Sequence, residues 1–283
     1  MTGTNHYRHT RVEESRVGRL TRRRDPKGSL IRKPFLTFSR ELQAMLLFVL
    51  LFAASGGVYL FLSRTAVVDS TSNLYLIAAF TLGFVIACAV ASSLAVLTLL
   101  GHRLLLLAFI SGAVAIAAIV FGVGPLETAA KLVFAACAGL WLGLMLSSIS
   151  QVLLISGLII VVDFYSVFLG PTKKLVESGS HWLDYLTISL PTFGVPAISR
   201  IGISDLVFFS LFTACTLTYR LRRITTVMAM TASFVGTMAV GVTLDRGVPA
   251  LPLLSISFVL ANADLLYRRF LEEPDELRKR GRS

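Results

Sequence analysis

Apolar residues run along this chain in blocks too long for strands and too uniform for one face of a soluble helix. Eight stretches qualify: 44–63, 74–100, 104–123, 128–147, 151–170, 202–219, 224–243 and 249–267. A hydrocarbon core of about 30 Å is crossed by about 20 helical residues rising 1.5 Å each, so each block predicts one transmembrane helix. The second, at 27 residues, exceeds that length and is expected to tilt or break. Polar segments between the blocks set the organisation. They predict a basic tail over 1–42, a helical bundle over 43–170, a loop over 171–201, a second helical group over 202–270 and a charged tail over 271–283. Residues 1–42 hold no apolar segment of the signal-peptide kind and are expected to be a solvated cytoplasmic tail that touches anionic lipid. The fold class that follows is all-α, a polytopic transmembrane bundle.

Composition sharpens this. The chain of 283 residues is 55% hydrophobic and only 15% charged, where a soluble domain carries about 25% charged residues. Of its 27 Lys and Arg, 11 lie in residues 1–40 and 6 in 268–282, leaving 10 for the residues between. An ordinary soluble enzyme, a disordered chain and a nucleic-acid-binding domain with a basic face are all excluded by that distribution. The net charge of +11 belongs to tails and short turns, where it orients the chain by the positive-inside rule. An even number of spans puts both termini in the cytoplasm, together with Arg103 and the cluster Arg220, Arg222 and Arg223. Cys88, Cys137 and Cys215 all fall in apolar runs, so neither a disulfide framework nor a metal-ligand spacing is present and no cofactor is expected.

Most of the 16 carboxylates sit in tails, loops or span ends. Glu127 with Lys131, and Asp264 with Arg268, have the i,i+4 spacing of helical ion pairs near the interface. Asp163 and Asp205 are different. Each lies in an apolar run with no basic residue within four positions, and a lone ionisable group at depth costs at least about 2.5–3.5 kcal/mol. Asp163 lies seven residues before Gly170 and Asp205 five after Arg200, so both are expected about 8–10 Å below the same membrane face. Their helices are consecutive and antiparallel, which lets the carboxylates face each other and share one proton. An ionised aspartate can then activate water while its protonated partner polarises a carbonyl. The same pair is also compatible with a proton relay or a polar helix contact.

A third feature lies at the start of the last block, Pro249-Ala250-Leu251-Pro252. Two prolines predict extended or irregular backbone with unpaired carbonyls, tolerated at depth only beside protein or a wet cavity. By parity of crossings it reaches the face that holds both aspartates.

Together these residues resemble the presenilin and signal peptide peptidase family of intramembrane aspartyl proteases, most closely its archaeal presenilin-like branch. The family's Tyr-Asp motif has its counterpart in Val162-Asp163, its Gly-x-Gly-Asp in Gly202-Ile203-Ser204-Asp205, and its Pro-Ala-Leu in Pro249-Ala250-Leu251-Pro252. The resemblance covers about residues 150–267. It implies a presenilin-like bundle of eight to nine spans in a prokaryotic plasma membrane, with Asp163 and Asp205 as the catalytic pair. It further implies that Gly202, Ile203 and Ser204 shape the second aspartate's turn and that 249–252 supports the site. The substrates would be transmembrane proteins or peptides, and assembly into a homo-oligomer is compatible with the resemblance. Three departures stand out: Val162 for tyrosine, with Tyr165 as a displaced auxiliary; Ser204 for glycine; and eight counted spans where the family usually has nine.

Other readings stay open on the residues alone. Type 4 prepilin peptidases share a Gly-x-Gly-Asp motif but leave 249–252 unexplained. A proton-coupled transporter should show broken helices in both halves, and an impaired scaffold would keep the fold without the chemistry. No His-Glu-x-x-His is present, and His6, His9, His102 and His181 lie in the tail and loops, which removes the zinc and serine classes. The loop 171–201 combines an amphipathic turn, KKLVESGSHWLDYL, with an extended stretch, TISLPTFGVPAI. It reads either as an interfacial segment anchored by Trp182, Tyr185 and Phe193 or, by the resemblance, as a border that pairs with an unwound substrate.

Overall fold

The blocks fold as helices because nothing inside them competes with the backbone's own hydrogen bonds in an apolar medium. The structure, a computed structural model, describes residues 73–168, 182–190, 199–244 and 248–280, all within the unit Arg40–Ser283. The basic tail 1–42, the first apolar block 44–63 and the loop residues 169–181 and 191–198 lie outside the described residues. So do Arg246 and 281–283. In chain order the elements are α1 (Asn73–Ser93), a 3₁₀ segment (Leu94–Leu100), α2 (Arg103–Phe121), α3 (Gly124–Met145), α4 (Ile149–Phe168), and α5 (Trp182–Leu186). After them come β1 (Thr187–Leu190), β2 (Ser199–Gly202), α6 (Ile203–Thr218), α7 (Arg223–Leu244), α8 (Leu251–Ala261) and α9 (Ala263–Arg280).

Five helical stretches among the described residues are long and apolar enough to cross a membrane: Phe80–Leu100, Arg103–Phe121, Gly124–Met145, Ile149–Val167 and Arg223–Leu244. Helices of this length and apolarity mark a membrane protein. The overlong second block is not broken but stays one helical run, tightening from α-helix to a 3₁₀ segment at Leu94. Two blocks depart from expectation. The block 202–219 yields a helix of only 16 residues, because Gly202 at its start belongs to a hairpin strand and Tyr219 at its end is the C-cap. The block 249–267 is not one straight span; α8 and α9 meet at a bend of 72°. Asn262 causes the break. Its buried amide donates from Nδ2 to Thr226 Oγ1 and to Phe258 O, while its Oδ1 accepts from the Arg222 N–H. That set of partners holds a polar side chain in the core and supplies acceptors and donors where the helix stops.

Helix packing here depends on close approach rather than on apolar burial, since lipid is as apolar as leucine. The tightest pair is α3 on α6. Gly139 and Gly143 lie one turn apart on α3, and a Cβ on Gly139 would fall 2.1 Å from the Val207 carbonyl oxygen. One on Gly143 would fall 2.6 Å from that of Leu211. Aromatic rings join the other helices: Phe84 and Phe209 each lie against Phe234 with centroids 6.2 and 6.0 Å away. Phe212 stacks on Phe258 at 4.4 Å.

Ion pairing follows the fold more than the local spacing. Glu127 and Lys131 do pair, at 2.6 Å. Asp264, expected to pair with Arg268, instead binds Arg222 at 2.8 Å, because the bend at Asn262 turns the first turn of α9 towards the 219–222 turn. At that same end Tyr219 donates to Leu146 O and Arg223 to Ser92 O. The hairpin and Val248–Ala250 occupy the opposite end.

Candidate functional site

On α4 the residues Val152, Ser156, Ile159 and Asp163 recur at the spacing of a single helical face. The first three are buried and Asp163, at the end of the stripe, is half-buried. This face rests mainly on α8. The expected face-to-face packing of the two aspartate helices is therefore replaced by an arrangement in which the helix of the Pro-Ala-Leu-Pro segment is the principal partner of α4. Contact is direct: the Leu251 backbone N–H donates to Asp163 Oδ2 at 3.2 Å.

That N–H is available for a reason legible in the chain. The first four amides of a helix have no internal acceptor, and Leu251 opens α8. Proline at 249 biases Val248 away from helical torsions and so stops the helix from growing backwards to recapture the Leu251 N–H. The segment is less irregular than its two prolines predict. Only Val248–Ala250 lie outside the helix, while Leu251 and Pro252 are in its first turn, where a missing N–H costs no hydrogen bond. Pro249, Leu251 and Pro252 are buried.

Asp205 is placed by a different device. Gly202 is the N-cap of α6, with extended torsions, and Asp205 is the third residue in. A carboxylate at that position reaches back to the N-cap amide, as in one half of a capping box. Here the Asp205 carboxylate turns back towards the Gly202 N–H and lies within electrostatic range of Asp163. A Cβ on Gly202 would come within 2.9 Å of Asp205 Oδ2, so glycine at 202 is what leaves the carboxylate its place.

Asp205 opens onto a cavity of about 310 Å³. Phe80, Phe84 and Phe234 form an aromatic wall, Arg200 and Ile201 bring the strand β2, and Ala250 brings the end of the proline segment. The expected residues Asp205 and Ala250 thus meet at one cavity, with Gly202 bordering Asp205 and with Leu251 carrying the link to Asp163. Ile203 packs against the core. Tyr165 does not join them: it is 61% exposed and sits two residues round the helix from Asp163. Val162 is 55% exposed on a neighbouring face. No group of three or more metal-ligating side chains occurs among the described residues.

Two contributors go beyond what the chain indicates. The first is the pairing of the hairpin: the stretch expected to be extended supplies β1, and its partner is 199–202, so that Thr187 faces Gly202, Ile188 faces Ile201, Ser189 faces Arg200 and Leu190 faces Ser199. Alternation in TISL, buried at every second residue, was the available signal. The second is the backbone N–H of Leu251, which no side-chain pattern reports.

Ser204, in contrast, is exposed at the second position of α6 and does not line the cavity. Ser204→Gly should therefore leave the Asp205 carboxylate where it is and cost at most about 1 kcal/mol in helix stability. Gly202→Ala should fold, since the displaced atom is the mobile end of Asp205, yet move that carboxylate from its place. Thermal unfolding and a structure of each variant check this. An unmoved Asp205 in Gly202→Ala would show that glycine at 202 does nothing for the site.

Comparison of the whole chain with family models, with curated proteins and with solved structures finds no match.

Proposed function

We propose that this chain is an intramembrane aspartyl protease, hydrolysing peptide bonds within transmembrane helices through a water activated between Asp163 and Asp205. The observation that carries the reading is the convergence of three separate segments. A backbone N–H of the Pro-Ala-Leu-Pro turn holds Asp163, while Ala250 of that turn and Asp205 border one cavity. In the reaction one carboxylate takes a proton from water, the hydroxide equivalent adds to the scissile carbonyl, and the other carboxyl donates its proton to the oxygen. Collapse of the tetrahedral species returns a proton to the leaving nitrogen.

A helix must unwind before its peptide bond reaches two side chains, and unwound backbone in lipid needs new hydrogen-bond partners. The hairpin offers them. Thr187 O and Ser189 O accept from Lys131 and Thr128 on one side of β1, so Thr187 and Ser189 point their backbone groups away from β2. Their cross-strand partners Gly202 and Arg200 point away on the opposite side. Among the described residues the sheet has two strands, and the outer edge of β2 runs along the cavity wall as a template for an added strand.

The same reading takes the architecture as a presenilin-like bundle of eight spans. The five long helices, the short α6 and the bent pair α8–α9 make seven, and the apolar sequence block 44–63, outside the described residues, is counted as the eighth by its hydropathy alone. Arg103, Arg220, Arg222 and Arg223 then lie on the cytoplasmic side with both termini, and the site opens near the opposite face.

The test is cleavage of a single-span reporter by the purified chain in liposomes across a range of pH. The pair needs one proton between the two carboxylates. Rate should fall on the acid side as both become protonated and on the alkaline side as both ionise, giving a bell. Proton flux without cleavage would favour a relay, and an uncleaved reporter at every pH would sink the protease reading.

A further inference from the structure

Lys131 is the most completely buried charged side chain in the described bundle, 3% exposed. Its ammonium has three protons and three acceptors: Glu127 Oε1 at 2.6 Å, Asp184 O at 2.5 Å and Thr187 O at 3.0 Å. One turn earlier on α3, Thr128 Oγ1 donates to Ser189 O at 3.2 Å. Burying an ammonium costs several kcal/mol unless every proton is matched. An i,i+4 pair at the interface needs no such burial, so the position has a further use.

Its acceptors identify that use. Two of the three are main-chain carbonyls from α5 and β1, and Thr128 takes a third carbonyl two residues further on, which is the repeat of one strand edge. Helix α3 therefore grips the outer edge of β1. The gripped hairpin has only four residues a side, and a two-stranded hairpin of that size is marginal alone. A slip of one residue would exchange the buried Ile188 and Leu190 for Thr187 and Ser189. Beyond β1 the ladder fixes β2, and β2 runs without a break into the N-cap Gly202, three residues before Asp205. Asp184 adds a brace by pairing with Arg200 at 2.9 Å, although this exposed pair contributes little alone.

We propose that Lys131, assisted by Thr128, is a positioning residue that sets the direction and register of the β2 edge relative to Asp205. It thereby determines which peptide bond of a substrate strand is cut. The assignment rests on the protease reading above. Without the clamp, β2 is held only through its ladder to a less firmly anchored β1, its buried Ile201 and the exposed Asp184–Arg200 pair, and a paired substrate presents several bonds to the aspartates in turn.

The experiment compares parent, Lys131→Met and Thr128→Val on the single-span reporter, with product ends identified by mass spectrometry and folding followed by thermal unfolding. Methionine fills the space of the lysine stem but removes the ammonium protons that both carbonyls accept. Cleavage by Lys131→Met should fall on the order of 10–100-fold, with new termini two residues from the parental cut, the strand repeat. Thr128→Val removes one hydrogen bond and should spread the termini less while keeping most of the rate. Should Lys131→Met fail to fold, Thr128→Val decides alone. Parental termini in whichever variant folds would overturn the assignment while leaving the protease reading intact. A reporter left uncut by the parent would remove the protease reading, and the assignment with it.

Discussion

Asparagine at either Asp163 or Asp205 should abolish reporter cleavage, a loss of at least about 10²–10⁴-fold, while the helical bundle stays intact. The fold should survive because the amide keeps the interactions the carboxylate makes with the backbone. Asparagine at 163 still offers an oxygen to the Leu251 N–H, and asparagine at 205 still offers one to the amide of its own N-cap. What each variant lacks is the ability to take or give a proton, which both half-reactions require. Loss should therefore be equal for the two positions and independent of pH. Cleavage by either variant above about a tenth of the parental rate, with helix content unchanged, would take that aspartate out of the chemistry.

Replacing Gly139 with leucine should have the largest structural effect of any single change in the described bundle. The collision involves main chain: a Cβ at 139 would stand 2.1 Å from Val207 O and 2.8 Å from Ser210 Cβ. Side chains can swing aside, but α3 and α6 can only move apart. Overpacking in soluble cores costs about 1–3 kcal/mol, and a backbone clash between the two most closely packed helices should exceed the upper end of that range. Gly157→Leu is the control, since nothing lies within 4 Å of its added Cβ. Unfolding in rising fractions of denaturing detergent should show an early transition for Gly139→Leu and a parental one for Gly157→Leu. Coincident curves would mean that α3 and α6 do not pack through these glycines.

The parts of the fold that hydropathy and spacing made legible are those governed by local rules. Among the described residues, blocks of apolar residues became helices, two unpaired aspartates came within electrostatic range, and Pro249 marked the start of a helix. Gly139 and Gly143, four apart in an apolar run, also carried a readable signal of close helix contact, but it lay outside the segment that held the aspartates. The remainder depends on partners distant in the chain. Asn262 breaks the last block only because Thr226 and the Arg222 amide are there to receive it. Lys131 looks like half of a surface ion pair until the carbonyls of 184 and 187 arrive. The carboxylate of Asp264 finds Arg222 rather than Arg268 for the same reason. Tyr165 was drawn in by its neighbourhood in the chain, yet two residues along a helix turn a side chain through about 200°.

The bend at Asn262 makes α8 a spacer of set length. Its lower end is bolted to Thr226 and Arg222, and its upper end presents one amide proton to Asp163. Eleven residues separate those two points, about 16 Å of helix. Adding or deleting one residue between them would raise or lower the upper amide by 1.5 Å and rotate it by about 100°, and neither bolt has slack to absorb that change. Within this rod amino acids can be exchanged wherever packing allows, but their number cannot change, and a comparison of sequences should find substitutions between 251 and 262 and no insertions or deletions.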